Sequence, residues 1–465
     1  MSTPNVRRRI GPRGSVENGQ DTVSAAPPAG RRLSRFSPQA RIGVRPYHLL
    51  IWSFIIPIDI YLGDLRLSPY RIVLLLFMGP AIAKFKGNPN IKIHWADIAM
   101  MSFAVTGALS FLVNGDGVAA AGMMAVEAFG PFVIARAYIT NADEFSSMAR
   151  TVFHVTLFLI PFAAYESFTR DPILLTFLQK FFPNVQENVE HELRMGLDRA
   201  QVVFDHPILY GLFGSIGFSL VYFAVCYQAN MATKIFKSAL VCLATFFSLS
   251  SGAILSLVLQ IIFIAWDFFL RRVPNKWNKL LLAFLCAYAF VAAFSNRTPI
   301  AVFISYFTFN AGNSYTRVLQ FEYGILSVKK NPFFGFGYRG DWERLWWMPS
   351  SVDNFWLALA MRHGIPTSVS IILAVILVLF HVGKADVRDP RVRSYRLAAQ
   401  LSLAGVSVAA TTVHLWDAAY CMFMLLTGTG LWIADQAWVA KMRPAKHEAG
   451  EKDENKLTRR VRPIR

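Results

Sequence analysis

Ten cationic side chains fall in two segments, 168–206 and 296–357, each flanked by long apolar runs. Arg170, Lys180, Arg194 and Arg199 lie in the first, and Arg297, Arg317, Lys329, Lys330, Arg339 and Arg344 in the second. Arginine presents a planar fork of donors matched to phosphate oxygens, and beside an apolar boundary its attraction is screened less than in bulk water. As a set these cations point to an anionic ligand of phosphate type. Any single one has the alternative of a lipid headgroup or a local carboxylate such as Asp198, Glu322 or Asp341. Two other residues in these segments could move a proton. His206, in Phe204-Asp205-His206-Pro207, is either a proton carrier or the cap of a helix beginning there. Asp353, followed by Asn354, is either a general base toward a hydroxyl nucleophile or the N-cap of the next helix.

A helix is expected from about Ser314 to Lys330, ending at Asn331-Pro332 and placing Arg317, Phe321 and Gly324 on one stripe. The Phe333-Phe334-Gly335-Phe336-Gly337-Tyr338-Arg339-Gly340 turn that follows could form an anion-binding nest of backbone amides, or be no more than a turn. Trp342, Trp346, Trp347 and Trp356 form either an interfacial aromatic belt or surfaces for stacking sugar rings.

The elements that must position these residues are membrane spans. The chain has 465 residues, of which 54% are hydrophobic and only 16% charged, too apolar for ordinary soluble domains. Apolar runs of roughly 17–25 residues match the length needed to cross a bilayer. Spans are expected near 47–63, 69–84, 95–113, 118–136, 150–167, 207–227, 235–249, 252–270, 279–295, 358–382, 397–413 and 418–437, giving an all-α membrane domain over 47–437. The connections 84–94, 271–278 and 383–396 carry Lys and Arg, whereas those near 114–117, 250–251 and 414–417 carry neither. By the positive-inside rule both termini are cytoplasmic and the two long loops lie outside the cytoplasm. Short apolar helices are expected within those loops, one begun by Asp171-Pro172 and one by Thr298-Pro299. The first apolar run lacks a cleavage pattern after it and is expected to act as an uncleaved anchor.

Much of the +18 net charge sits in two tails, with nine Arg in residues 1–46 and nine Lys or Arg among Glu, Asp and Asn in residues 438–465, both read as disordered basic cytoplasmic tails. Neither tail interleaves aromatics that could stack bases, which argues against a nucleic-acid arm. Cys226, Cys242, Cys286 and Cys421 fall inside expected spans at spacings that imply neither a disulfide framework nor a metal site. Asp59 and Glu127, costly in a membrane, are expected to face the bundle or a cavity.

Three stretches resemble the O-antigen ligase and polymerase superfamily, the Wzy-type membrane enzymes of bacterial surface-polysaccharide assembly. They are Arg199 through Phe204-Asp205-His206-Pro207, Ser314-Tyr315-Thr316-Arg317 through Asn331-Pro332-Phe333-Phe334-Gly335-Phe336-Gly337, and Asp353-Asn354 with Gly364-Ile365-Pro366-Thr367 after it. The resemblance implies a GT-C-type glycosyltransferase that takes an undecaprenyl-diphosphate-linked glycan as donor, needs no metal or other cofactor, and works at the periplasmic face of the inner membrane. It maps Arg199 and Arg317 to arginines that hold the donor diphosphate, with Arg194, Arg339 and the Gly335 and Gly337 amides as helpers. Asp353 or His206 would act on the acceptor hydroxyl, with Asn354 orienting it. The chain departs from the family in two places. Asp353 stands where ligases carry His, which is closer to polymerases, and Ser250-Ser251-Gly252 lacks the arginine of the family's Ser-Arg-Gly.

The expected function is polymerisation of lipid-linked oligosaccharide repeat units, with a ligase transferring glycan to a lipid A core or other acceptor as the nearest alternative. A transporter or flippase of lipid-linked sugar is the alternative from another class. The expected partners are the lipid-linked substrate, membrane lipids and a chain-length regulator or flippase, and no nucleic acid.

Overall fold

The computed structural model describes residues 44–63, 65–189, 192–296, 298–299, 302–303 and 311–442. The expected tails thus lie almost wholly outside the described residues, as do Arg297 and most of the helix expected at Thr298-Pro299.

The chain is mostly helical. In order run α1 (Pro46–Ser53), a hairpin of β1 (Ile60–Leu62) and β2 (Leu65–Leu67), α2 (Pro69–Gly87), α3 (Trp95–Val113), α4 (Val118–Tyr138), α5 (Ala142–Thr169) and the short α6 (Ile173–Gln179). Then come α7 (Pro207–Leu220) with a π-helical turn at Val221–Val225, α8 (Met231–Phe247), α9 (Ser251–Phe269) and α10 (Lys276–Phe294). The last group is α11 (Ala311–Lys330), α12 (Phe355–His363), α13 (Ile365–Lys384), α14 (Pro390–Ala409) and α15 (Asp417–Thr429).

Among the described residues eight helices are long and apolar enough to cross a membrane: Trp95–Val113, Val118–Tyr138, Ala142–Thr169, Pro207–Val225, Ser251–Phe269, Lys276–Phe294, Ile365–Lys384 and Asp417–Met442. The other expected spans correspond to α1, α2, α8 and α14. Of these, α1 has 8 residues and α8 has 17. Arg71, Lys84 and Lys86 lower the hydropathy of α2, and Arg391, Arg393 and Arg396 that of α14. Two expected spans change shape. The segment 47–63 is helical only to Ser53 and then turns into the hairpin. The segment 358–382 is two helices, because Gly364 takes φ +85° between α12 and α13 and Ile365 donates its amide to the Pro332 carbonyl (2.7 Å).

The helices start where capping chemistry permits. Asn141 accepts from the amides of Asp143 and Glu144 to open α5, and Asp389 accepts from Arg391 to open α14, whose first residue is Pro390. The core centres on α7, buried on nearly every face and packed against α8, α9 and α14. A helix apolar all round belongs in an interior. Gly211 and Gly214 let α7 approach its neighbours closely, since a Cβ at Gly211 would lie 2.2 Å from Ser248 Oγ. In a second bundle α4 packs between α2, α3 and α15. There the buried Arg136 joins Asp97 (2.7 Å) and Asp435 (2.6 Å), and His94 also reaches Asp435 (2.9 Å).

Candidate functional site

Two arginines and one carboxylate reach the same place from distant parts of the chain. Arg199 lies in the loop between α6 and α7, and Glu166 at the end of α5 sets the path of that loop. Both oxygens of its carboxylate accept backbone amides, from Gln201 (2.8 Å) and Val202 (2.9 Å), while Ala200 donates to the Phe247 carbonyl (2.9 Å). Arg317 sits in the second turn of α11, buried, with Nε donating to Oδ2 of Asp353 at 3.2 Å. Gly324, one face further along α11, seats that helix on α12, since a Cβ there would lie 2.8 Å from Leu357 and 2.9 Å from Met361.

Arg199 is the most unsettled charge of the group. It is buried, and its Nε has no hydrogen-bond partner among the described residues. Burial, then the nearby guanidinium groups of Arg194 and Arg317, pull it down to about 10, against which Asp353 and Asp198 act more weakly. Arg194 is lowered too, by burial and by Arg317. Arg194 anchors itself by donating Nη1 to the Leu249 carbonyl (2.6 Å). Arg194, Arg199 and Arg317 thus crowd together in a partly desolvated setting, where their mutual repulsion outweighs the pull of Asp353 and Asp198 on Arg199. Such a site favours a polyanion.

The residues around Asp353 divide their work. Asn354, not Asp353, caps α12 by accepting the Leu357 amide (3.1 Å), so the capping reading of Asp353 is replaced by an ion pair. Gln320, one turn beyond Arg317, donates Nε2 to the Ser351 carbonyl (2.9 Å) and accepts the Asp353 amide on Oε1 (3.1 Å).

The glycine-rich turn lies elsewhere. Gly335 and Gly337 hold positive φ, and their amides donate to the carbonyls of Asn331 (3.1 Å) and Arg362 (3.0 Å). The anion held by this turn is the carboxylate of Asp116, which accepts from the amides of Tyr338 (2.7 Å) and Arg339 (3.2 Å). The Arg339 side chain is exposed.

His206 is the N-cap of α7, its Nδ1 accepting the Ile208 amide (3.1 Å), and its ring meets Trp416 edge-on at 5.9 Å. Beside it is a charged network that also answers where Asp59 and Glu127 find partners. Arg66 pairs with Asp59 (2.8 Å), Asp205 (3.6 Å) and Asp417 (3.4 Å), and Arg71 with Glu127 (2.6 Å) and Asp417 (3.4 Å). Burial and a hydrogen bond to Asp417 raise the Asp205 carboxyl to about 8. Of the tryptophans, Trp342 and Trp356 are tied inward by indole hydrogen bonds to the carbonyls of Ser350 (3.0 Å) and Ser407 (3.1 Å). Trp346 is fully open and Trp347 faces Tyr315 in a near-parallel pair.

With Arg317 and Asp353 joined on α11 and the approach to α12, the family comparison falls on the same stretch. Residues 236–372 are similar to the O-antigen ligase family, Wzy_C. This is consistent with the O-antigen ligase and polymerase superfamily to which the chain's motifs are similar. The matched stretch contains Arg317, Gln320, Asp353 and Asn354, and leaves Arg194, Arg199 and His206 on its amino-terminal side. A comparison with curated proteins finds no match. At the turn before α9, where the family pattern has an arginine and this chain has Ser251, the Arg194 guanidinium arrives from the first loop onto the neighbouring Leu249 carbonyl.

Glu166, Asp116 and Gln320 escaped the sequence reading. Glu166 carried a usable signal, an acid within an apolar run. Asp116 and Gln320 carried none, since each acts through a backbone far away in sequence.

Proposed function

We propose that this membrane protein is a glycosyltransferase that polymerises undecaprenyl-diphosphate-linked oligosaccharide repeat units into surface polysaccharide at the periplasmic face of the bacterial inner membrane. The observation that carries this is Arg199, a buried guanidinium with an unpartnered Nε, set among Arg194, Arg317 and Asp353. A departing diphosphate supplies the charge that such a site lacks, and fixed donors aimed at developing charge are an effective form of transition-state stabilisation. The similarity of residues 236–372 to the O-antigen ligase family supports the same chemistry. With α2, α8, α14 and the segment that α1 begins and an irregular stretch completes crossing beside the eight apolar helices, the count reaches about twelve, in keeping with a GT-C-type enzyme with both termini cytoplasmic.

In the proposed step the acceptor hydroxyl gives its proton to the Asp353 carboxylate as its oxygen bonds to the anomeric carbon. The bond from that carbon to the diphosphate oxygen breaks, and the electron pair stays with the lipid diphosphate, held by Arg199 and Arg317 with Arg194 behind them. Asp353 is preferred to His206 as the base because it stands beside those arginines, whereas His206 spends Nδ1 on a helix cap.

The family match itself favours a second reading, a ligase that passes glycan to a non-prenyl acceptor. Purified protein in nanodiscs incubated with lipid-linked repeat units separates the two. A ladder of chain lengths, lost in Arg317→Ala, is the result expected of a polymerase. Single addition to an added acceptor without a ladder means a ligase, and no transfer from a competent donor overturns both.

A further inference from the structure

The stretch from Ser351 to Asp353 touches α11 at three points, and only one of them involves charge. Arg317 grips the Asp353 carboxylate (3.2 Å), while the Gln320 carboxamide grips the backbone on either side of Val352, through the Ser351 carbonyl (2.9 Å) and the Asp353 amide (3.1 Å). Gln320 is buried, and its carboxamide NH2 and oxygen meet one C=O and one N–H of the backbone. Neither glutamate nor methionine reproduces that pattern. The next residue, Asn354, caps α12, and Phe355 donates its amide to the carbonyls of Ala410 (2.9 Å) and Val413 (3.1 Å), so the far end of the stretch is anchored to the end of α14.

The three grips respond differently to an anionic donor. A diphosphate at the arginine cluster competes for Arg317 and releases the Asp353 carboxylate from its ion pair. It has no claim on a carboxamide bonded to backbone. We infer that Gln320 is a positioning residue: it holds the Asp353 backbone in register on α11 while the carboxylate exchanges Arg317 for the acceptor hydroxyl. The inference rests on the proposed reading, in which Arg317 binds the diphosphate and Asp353 takes the proton. It adds an order to the reaction, with donor binding freeing the base before the acceptor is activated.

The test is a double-mutant cycle with full-length protein in nanodiscs, reading transfer kinetics from lipid-linked repeat units and affinity for undecaprenyl diphosphate by thermal shift. Gln320→Met keeps the volume and removes both hydrogen bonds. The expected result is a fall in kcat of about tenfold to a hundredfold, the scale of a misplaced reacting group, with donor KM and undecaprenyl diphosphate affinity unchanged. In an Asp353→Asn background the same change is expected to have no further effect on kcat, because Gln320 acts only through Asp353. Gln320→Glu keeps the acceptor for the Asp353 amide and loses the donor to Ser351, and a smaller loss is expected; it carries the test if Gln320→Met does not fold. Additive losses in the cycle, or donor affinity falling together with kcat, overturn the positioning role. So does a fully active Gln320→Met when Asp353→Asn is inactive, leaving the site reading intact. Full activity in Asp353→Asn overturns the base assignment and the Gln320 inference with it.

Discussion

The Asp116 carboxylate accepts the backbone amide of Tyr338 at 2.7 Å across 222 residues of chain, and the next amide, that of Arg339, at 3.2 Å. The short connection between α3 and α4 thereby holds down the glycine-rich end of the second long loop. Gly337 allows it, because a Cβ there would lie 2.7 Å from the same carboxylate. Asp116→Ala strands two amides, and a cost of about 1–3 kcal/mol is expected. Limited proteolysis within 333–345 is the readout, and faster cleavage there with α7 still protected is the expected outcome. An unchanged cleavage rate would mean that the loop is held by its other contacts.

Arg199 makes a prediction with two opposite signs. A buried guanidinium with an unpartnered Nε burdens the unliganded protein, so Arg199→Met is expected to leave thermal stability equal or higher. The same change is expected to remove the stabilisation that undecaprenyl diphosphate confers on wild type, which at a hundredfold excess over Kd is about 2.7 kcal/mol. Arg199→Met that is still stabilised to the full extent would take Arg199 out of the diphosphate site.

Adjacent residues Asp353 and Asn354 are expected to fail in different ways. Asn354→Ala loses the cap of α12 and is expected to cost about 1 kcal/mol of stability. Asp353→Asn keeps the fold, binds undecaprenyl diphosphate at least as tightly because its competitor for Arg317 is gone, and loses transfer rate. A loss of stability in Asp353→Asn matching that of Asn354→Ala, with rate preserved, would return Asp353 to a structural role.

The network at Asp205 gives a pH dependence. Its carboxyl rises from 3.8 to about 8 in the fold, by burial and by the hydrogen bond with Asp417, with Asp59 adding to the rise and Arg66 opposing it. A group whose folded value lies above its unfolded one stabilises most at low pH and loses that contribution as pH rises through the folded value. Thermal unfolding in detergent is therefore expected at lower temperature at pH 9 than at pH 7. Asp205→Asn, which keeps a donor for Asp417, is expected to flatten the change. An equal drop in the variant would place the titration elsewhere.

What could be read from the sequence and what could not divides along contact distance. Helix starts at Pro207 and the run of α11 were legible because capping and periodicity are local. The nest at 335–340 was legible as a device, but its occupant Asp116 was not, because nothing in a short polar turn shows which amides it will meet. Of the ten cations read as a set, Arg194, Arg199 and Arg317 gather, whereas Arg339 lies exposed on another turn and Arg344 pairs with Asp341, and spacing alone did not separate them. The break at Gly364 had a local signal, a glycine directly before Ile-Pro, which an unbroken apolar run outweighed. Gln320 had none, since a carboxamide reading a distant backbone looks like any glutamine on a helix.

α10 buries none of its residues. Its foot is tied to α9, where Lys276 pairs with Asp267 (2.6 Å) and Trp277 meets Phe263, and the rest of its length is open to lipid, so its tilt follows hydrocarbon thickness from a fixed end. Beyond its end the chain runs on to α11, the carrier of Arg317. Transfer rate is expected to change between nanodiscs of short and long acyl chains, while Asp353→Asn stays slow in both. A rate indifferent to chain length would mean that α10 moves without the site.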